Sequence, residues 1–231
     1  MHNTLKCILL ILLSCLLSSC GKGSKLNIQV SPVSYETESY KINGENIKIP
    51  GDTNTINELN TLFETEINDW IENFKSRVEI SNIDKSNPPC LQMRHNIKQN
   101  NDTILSIVTE KYAYISGMHG NTWWSAKNYD VKSDKLLTLS ELFVDDAYIK
   151  IINEQIKEII KTNEKEYHDL WKTPELDRAR ENRFYLSDGN LCIFYEPYEL
   201  SYYAKGVVEF HIPLEKIRGY IKPEYLSSAK N

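Results

Sequence analysis

Leu17-Ser18-Ser19-Cys20 is the stretch whose chemistry is easiest to name. Small residues ahead of a cysteine give a signal peptidase access to the backbone, and a thiol is the one nucleophilic side chain there that can take a diacylglycerol as a thioether. The tetrapeptide closes an apolar run from Ile8 through Leu16, preceded by a thin basic lead of Lys6 and the amino terminus. A spanning helix needs roughly 18–20 apolar residues. This run is shorter and ends on small residues, the form of a secretory signal. The expectation is cleavage before Cys20, acylation of Cys20, and a flexible tether over Gly21-Lys22-Gly23-Ser24-Lys25. An uncleaved membrane anchor is the alternative.

Two further cysteines outlast removal of Cys7 and Cys15 with the signal. Cys90 and Cys192 are either a disulfide, as an oxidising compartment permits, or two buried free thiols. His119 sits in Gly117-Met118-His119-Gly120-Asn121, where flanking glycines allow a close backbone approach. Its imidazole suits a ligand contact, a general base, or a hydrogen bond that holds the bend; the orienting partner of a nucleophilic site is not apparent. Glu196 and Glu199 flank Pro197-Tyr198. A glycosidase needs two carboxylates across a cleft, and this spacing reads instead as a solvated loop pair. His95, His119, His168 and His211 are scattered, without HExxH or CxxC spacing, so no metal site is expected. There is no G-x-S-x-G elbow, P-loop or dinucleotide fingerprint, so neither cofactor nor catalytic centre is expected.

Tyrosines carry more weight. Tyr195, Tyr198, Tyr202 and Tyr203 crowd one segment, and tyrosine offers large contact area with a polar tip at low entropic cost. Tyr195 should alternate into a sheet. Tyr198 and Tyr202 either meet a partner or cap the sheet end. Trp123 and Trp124 are strand neighbours and must face opposite ways.

The chain has 231 residues, 41% hydrophobic and 26% charged, enough for one domain or two intimate subdomains. Its net charge is −5; loss of Lys6 with the signal makes it one unit more negative. That balance disfavours nucleic acid, teichoic acid and anionic lipid headgroups as partners.

Elements able to position these groups follow from periodicity. Residues 26–49 alternate around Gly44 as strands, and Pro50-Gly51-Asp52 turns. Ile56, Leu59, Leu62, Phe63, Ile67, Trp70, Ile71 and Phe74 form one helical stripe, with Asp52 or Thr53 as cap. Strands are predicted over 91–98, 104–115 and 122–131, the last two joined by the glycine-bracketed bend. Thr138 and Glu141 make a capping box, and Asp145 or Asp146 caps a second helix through Tyr148, Ile152, Ile156, Ile159 and Ile160. Phe184–Leu186 and Leu191–Tyr195 form a hairpin about Asp188-Gly189. The tyrosine-rich loop leads to a last strand, Val207–Ile212, and Pro213 opens a helical turn. The fold class is α+β, a mostly antiparallel sheet with long amphipathic helices packed on it.

Two ordered sets of segments carry a resemblance. The first is Gly117-Met118-His119-Gly120-Asn121-Thr122, Tyr129-Asp130 and Leu137 to Phe143. The second is Phe184-Tyr185-Leu186, Phe194 to Leu200, Tyr203-Ala204-Lys205-Gly206 and Ile212-Pro213-Leu214. Across residues 26–222 the chain resembles the extracytoplasmic domain shared by lysozyme-responsive anti-sigma factors of the RsiV type and the non-catalytic N-terminal region of PdaC-type peptidoglycan deacetylases. The resemblance implies residues 26–131 as a PdaC-like subdomain, 132–222 as an RsiV-like one, and 223–231 as a tail. It implies binding rather than catalysis, without the anti-sigma or deacetylase parts; the alternatives are a cell-wall-acting enzyme of unknown type, resting on His119 and the loop carboxylates, or a structural partner of another envelope protein. The partner would be a lysozyme-type muramidase or peptidoglycan, and candidate contacts are Tyr198, Glu199, Tyr202, Tyr203, His119 and Asn121.

Overall fold

The computed structural model describes residues 25–81, 83–84 and 86–226. Cys20 and its signal lie outside them.

Strands β1 (Gln29–Glu36) and β2 (Lys41–Lys48) form a hairpin at the edge of a six-stranded sheet. Thr53 starts helix α1 (Asn54–Glu79): its Oγ1 accepts the Ile56 N–H at 3.2 Å. The same hydroxyl donates to Asp134 Oδ1 at 2.8 Å, tying the helix start to a turn 81 residues on. The helix buries Ile56, Leu59, Phe63, Ile67, Ile71, Phe74 and Val78. Leu62, expected in the stripe, is 38% exposed, because the seam is narrower than the apolar face.

Strands β3 (Cys90–Asn100), β4 (Ile104–Tyr114), β5 (Asn121–Asp130) and β6 (Lys135–Leu136) complete the sheet in chain order. All pairs are antiparallel except β2 with β3. Periodicity alone did not reveal that exception. It follows from α1, a crossover long enough to return the chain to the same end of the sheet.

Three more antiparallel strands, β7 (Phe184–Ser187), β8 (Asn190–Tyr195) and β9 (Val208–Pro213), make a second sheet. It stacks on the face of the first that α1 leaves open. Tyr185, Cys192 and Phe194 meet Val108, with Trp124 and Ala126 beside them. Ser106 Oγ accepts the Leu186 N–H at 3.2 Å, and Asn128 Nδ2 donates to the Phe184 carbonyl at 2.9 Å. The edge of β7 is thereby satisfied by side chains of the larger sheet. Residues 104–109 of β4 are buried on both faces, between α1 and the small sheet.

Helix α2 (Tyr148–Thr162) covers the outer face of the small sheet through Tyr148, Ile152 and Ile156. Its start differs from expectation. Asp145 Oδ1 accepts the Ala147 N–H at 2.9 Å, two residues ahead of the N-cap, which is Ala147. The reach-back of the capping box does form: Glu141 Oε2 accepts the Thr138 N–H at 2.8 Å. The architecture is α+β in four layers: helix, large sheet, small sheet, helix. The 131/132 division falls in the β5–β6 turn, and β6 belongs to the larger sheet. Among the described residues no helix is long and apolar enough to cross a membrane.

The cysteine pair is not a disulfide in the structure. Both thiols are free. Cys90 opens β3, while Cys192 lies between the sheets with its sulfur 3.1 Å from His211 Nδ1. Burial pushes the Cys192 thiol up to about 12, so it is not a ready thiolate.

Candidate functional site

One end of the stacked sheets gathers most of the residues singled out above. The β4–β5 bend comes from the large sheet and the β8–β9 loop from the small one. Gly120 sets how closely the bend folds back: a Cβ there would lie 2.6 Å from the Ala113 carbonyl oxygen and 2.5 Å from Tyr112 Cζ. No other residue fits without moving backbone.

His119 bridges the two segments. Its Nδ1–H donates to the Gly120 carbonyl at 2.7 Å, which leaves Nε2 to accept from the Tyr198 hydroxyl at 3.1 Å. The ring stacks on Tyr203 with centroids 4.3 Å apart and planes 14° from parallel. Tyr198 and Tyr203 lie 5.5 Å apart, and the Tyr203 hydroxyl is 3.3 Å from Thr122 Oγ1. Both imidazole nitrogens are engaged and neither meets a carboxylate. The ring joins bend to loop, and its two bonded partners among the described residues are a backbone carbonyl and a phenol.

The loop is stiff. Glu199 N–H donates to the Glu196 carbonyl at 3.1 Å across a turn with Pro197 second and Tyr198 third. Tyr198 has φ +71°. That turn geometry calls for glycine or asparagine in third place. A tyrosine held there stores strain, a feature that clusters at functional sites. Gly206 closes the loop at φ 75°, ψ −154°, a region only glycine enters readily.

Carboxylates hold this strained turn. Glu199 Oε2 accepts the Glu196 N–H at 2.7 Å and pairs closely with Arg183. Arg180 Nε approaches Glu199 Oε1 at 3.6 Å. Glu196 Oε1 accepts the Trp124 N–H at 3.2 Å, and its other oxygen is 3.8 Å from Arg183. The two acids are therefore half-buried and ion-paired, where a solvated pair was expected. Glu199 positions the loop rather than facing outward. Arg180 and Arg183 are the residues that sequence reading missed, since a lone arginine before a strand carries no pattern.

What the end presents outward is aromatic. Tyr198 is 51% exposed and Tyr202 is 50% exposed, whereas Tyr195 is buried in the small sheet as its alternation required. Met118 at the bend tip is fully exposed. Asp169 hydrogen-bonds the Tyr202 hydroxyl and holds its proton, raising that pKa. Lys205 Nζ reaches Asp169 Oδ1 at 3.0 Å. Asn121 is exposed and lines a small cleft of about 130 Å³ with His119, Arg77 and Trp123. Trp123 and Trp124 do point apart: Trp123 packs on Trp70 of α1 with centroids 5.1 Å apart, Trp124 on Phe194 at 5.7 Å. Among the described residues no cluster of histidine, cysteine or carboxylate side chains is arranged to hold a metal.

Fold and site define a class: an α+β protein of two stacked sheets that presents a rigid aromatic loop at one end. Residues 140–215 match the family DUF3298, described as a protein of unknown function. Solved structures share the fold. A DUF3298 member from Bacteroides fragilis superposes with TM-score 0.71 at 16% identity, over 91% of this chain and 99% of the other. A second, from Pseudomonas aeruginosa PAO1, gives 0.66 at 17%, over 88% and 98%. Among curated proteins, the Bacillus subtilis anti-sigma-V factor RsiV is 39% identical over 92 residues, which is 36% of this chain and 32% of that protein. The Bacillus subtilis peptidoglycan-N-acetylmuramic acid deacetylase PdaC is 25% identical over 131 residues, 55% of this chain and 28% of that protein. The matched part is about a third or less of each curated relative's length. Over part of its length the chain is similar both to RsiV and to PdaC, as the ordered segments indicated.

Proposed function

We propose that this domain works in the cell envelope as a lipid-tethered binding module, and that its aromatic end holds a muramidase of the lysozyme type. The observation that carries the reading is Tyr198, half-exposed in a left-handed turn and bonded to His119. The fold spends strain to present that ring. Likeness to an anti-sigma-V factor and to a peptidoglycan deacetylase supports an envelope setting. The acidic chain suits a basic protein partner.

Calorimetric titration of the full chain in mild detergent with a lysozyme tests this. A saturable one-to-one complex is expected; absence of binding at micromolar concentrations contradicts it. Tyr198→Gly and Tyr202→Ala separate binding from folding. Glycine accepts the positive φ, so Tyr198→Gly is expected to change the melting temperature little, relief of the turn offsetting the lost His119 bond and the added freedom of the unfolded chain. Each variant is expected to weaken the complex by about 1–3 kcal/mol. A fall in melting temperature with unchanged affinity would make the loop structural.

The tether rests on Leu17-Ser18-Ser19-Cys20. Cys20→Ser is expected to abolish incorporation of labelled fatty acid and to leave unprocessed precursor, since serine forms no thioether. Label retained by Cys20→Ser would remove the lipid anchor.

A further inference from the structure

A second recess opens beside the loop, between residues 172–180 and the Glu199-Leu200 turn, with a volume of about 230 Å³. Its walls mix charges: Lys172 and Arg180 face Glu175, Asp177 and Glu199. Tyr195 also lines it and is only 2% exposed. The Tyr195 hydroxyl is buried and has no hydrogen-bond partner among the described residues. Other buried tyrosines are satisfied: the hydroxyls of Tyr148, Tyr167, Tyr185 and Tyr225 donate to Glu181, the Glu209 carbonyl, the Glu209 carboxylate and Asp130. Burial keeps the Tyr195 phenol protonated, and the side-chain charges that act on it most are Arg180, Glu199 and Asp177. All three line the recess together with Tyr195.

We propose that this recess is a subsite for a neutral, hydroxyl-rich ring the size of one sugar unit, bound through Tyr195, Arg180 and Glu199. The walls select for that chemistry. An anion would meet three carboxylates, a cation would meet Lys172 and Arg180, and an apolar group would leave the phenol unpaired. Each sugar hydroxyl both donates and accepts, which matches walls that alternate donors with acceptors. Trp171, 61% exposed, directly precedes Lys172, and its N–H donates to the Leu200 carbonyl at 2.8 Å. An exposed aromatic residue thus adjoins the wall residue Lys172 in the chain, its backbone fixed to Leu200. The inference does not depend on the muramidase reading.

Titration of the full chain in detergent with chitotriose, citrate and putrescine separates the three ligand classes. Binding of chitotriose alone is expected. Tyr195→Phe is expected to weaken it about 3–10-fold with the melting temperature unchanged or raised, because phenylalanine removes a polar group that lacks a partner. Lys172→Ala, on the exposed wall, should also weaken sugar binding without lowering the melting temperature. The proposal is overturned by absence of chitotriose binding at millimolar concentration or by preference for citrate or putrescine. It is equally overturned if Tyr195→Phe leaves sugar affinity unchanged or lowers the melting temperature.

Discussion

Glu66→Gln is expected to destabilise the fold by about 2–4 kcal/mol at neutral pH. Glu66 stands on α1, with its side chain 17% exposed. Its Oε1 accepts from Lys111 Nζ of β4 at 2.8 Å and from Ser125 Oγ of β5 at 2.7 Å, while its Oε2 accepts from Lys127 Nζ at 2.5 Å. Lys111 and Lys127 also lie over the rings of Trp70 and Phe63 at 5.5 and 4.8 Å. One carboxylate therefore fastens the helix to the two strands that carry the bend. The amide variant leaves two ammonium groups facing one another without it.

The pH dependence of that loss follows from linkage. Burial pushes the Glu66 carboxyl up, but Lys127 and Lys111 outweigh it and hold the group at about 2 against an ordinary value of 4.5. The unfolded chain takes up this proton first as pH falls. The stabilisation is complete above about 4.5 and is lost as pH drops through about 2. Urea unfolding of wild type and Glu66→Gln should show a gap that is constant near neutrality and closes below pH 4. A gap that stays constant to pH 2.5 would mean the carboxylate is not held by the lysines. Buried His95 adds to acid sensitivity. Its ring bonds Thr109 Oγ1 at 3.0 Å and the Glu45 carbonyl at 3.1 Å, and burial lowers its pKa, so protonation below the ordinary histidine range disfavours the folded state.

Gly120→Ala is expected to cost about 1–3 kcal/mol of stability through overpacking and to weaken partner binding about tenfold or more. The added methyl meets the Ala113 carbonyl oxygen, which is backbone and cannot swing aside. Relief requires the bend to lift, and lifting it moves His119 off Tyr203 and breaks its bond to Tyr198. Tyr198 then loses the contact that fixes its outward ring. Melting and affinity measured on one preparation check both halves. Unchanged values for both would mean the bend does not position the loop.

How much of this was legible in sequence depended on whether a residue's partner was local. The α1 stripe, the Asp188-Gly189 hairpin and the Thr138–Glu141 reach-back were all readable, because each is decided within a few residues. The parallel β2–β3 pair was not, since it depends on where α1 returns the chain. The site was half legible. Glycines around His119 and the tyrosine cluster marked two segments, but their meeting through His119 and Tyr198 spans 79 positions. Glu199 was misread as exposed for the same reason: Arg183, its partner, belongs to the approach to β7. Whether Cys90 and Cys192 pair was left open in sequence, because the answer depends on their places in different sheets.

Hydrogen–deuterium exchange of the full chain, alone and saturated with a lysozyme, is the most direct test of the aromatic end as the binding face. The account predicts slowed exchange confined to residues 117–121 and 198–205, with β1 and α1 unchanged. Protection elsewhere with these two segments unaffected would place the partner on another surface and contradict the account.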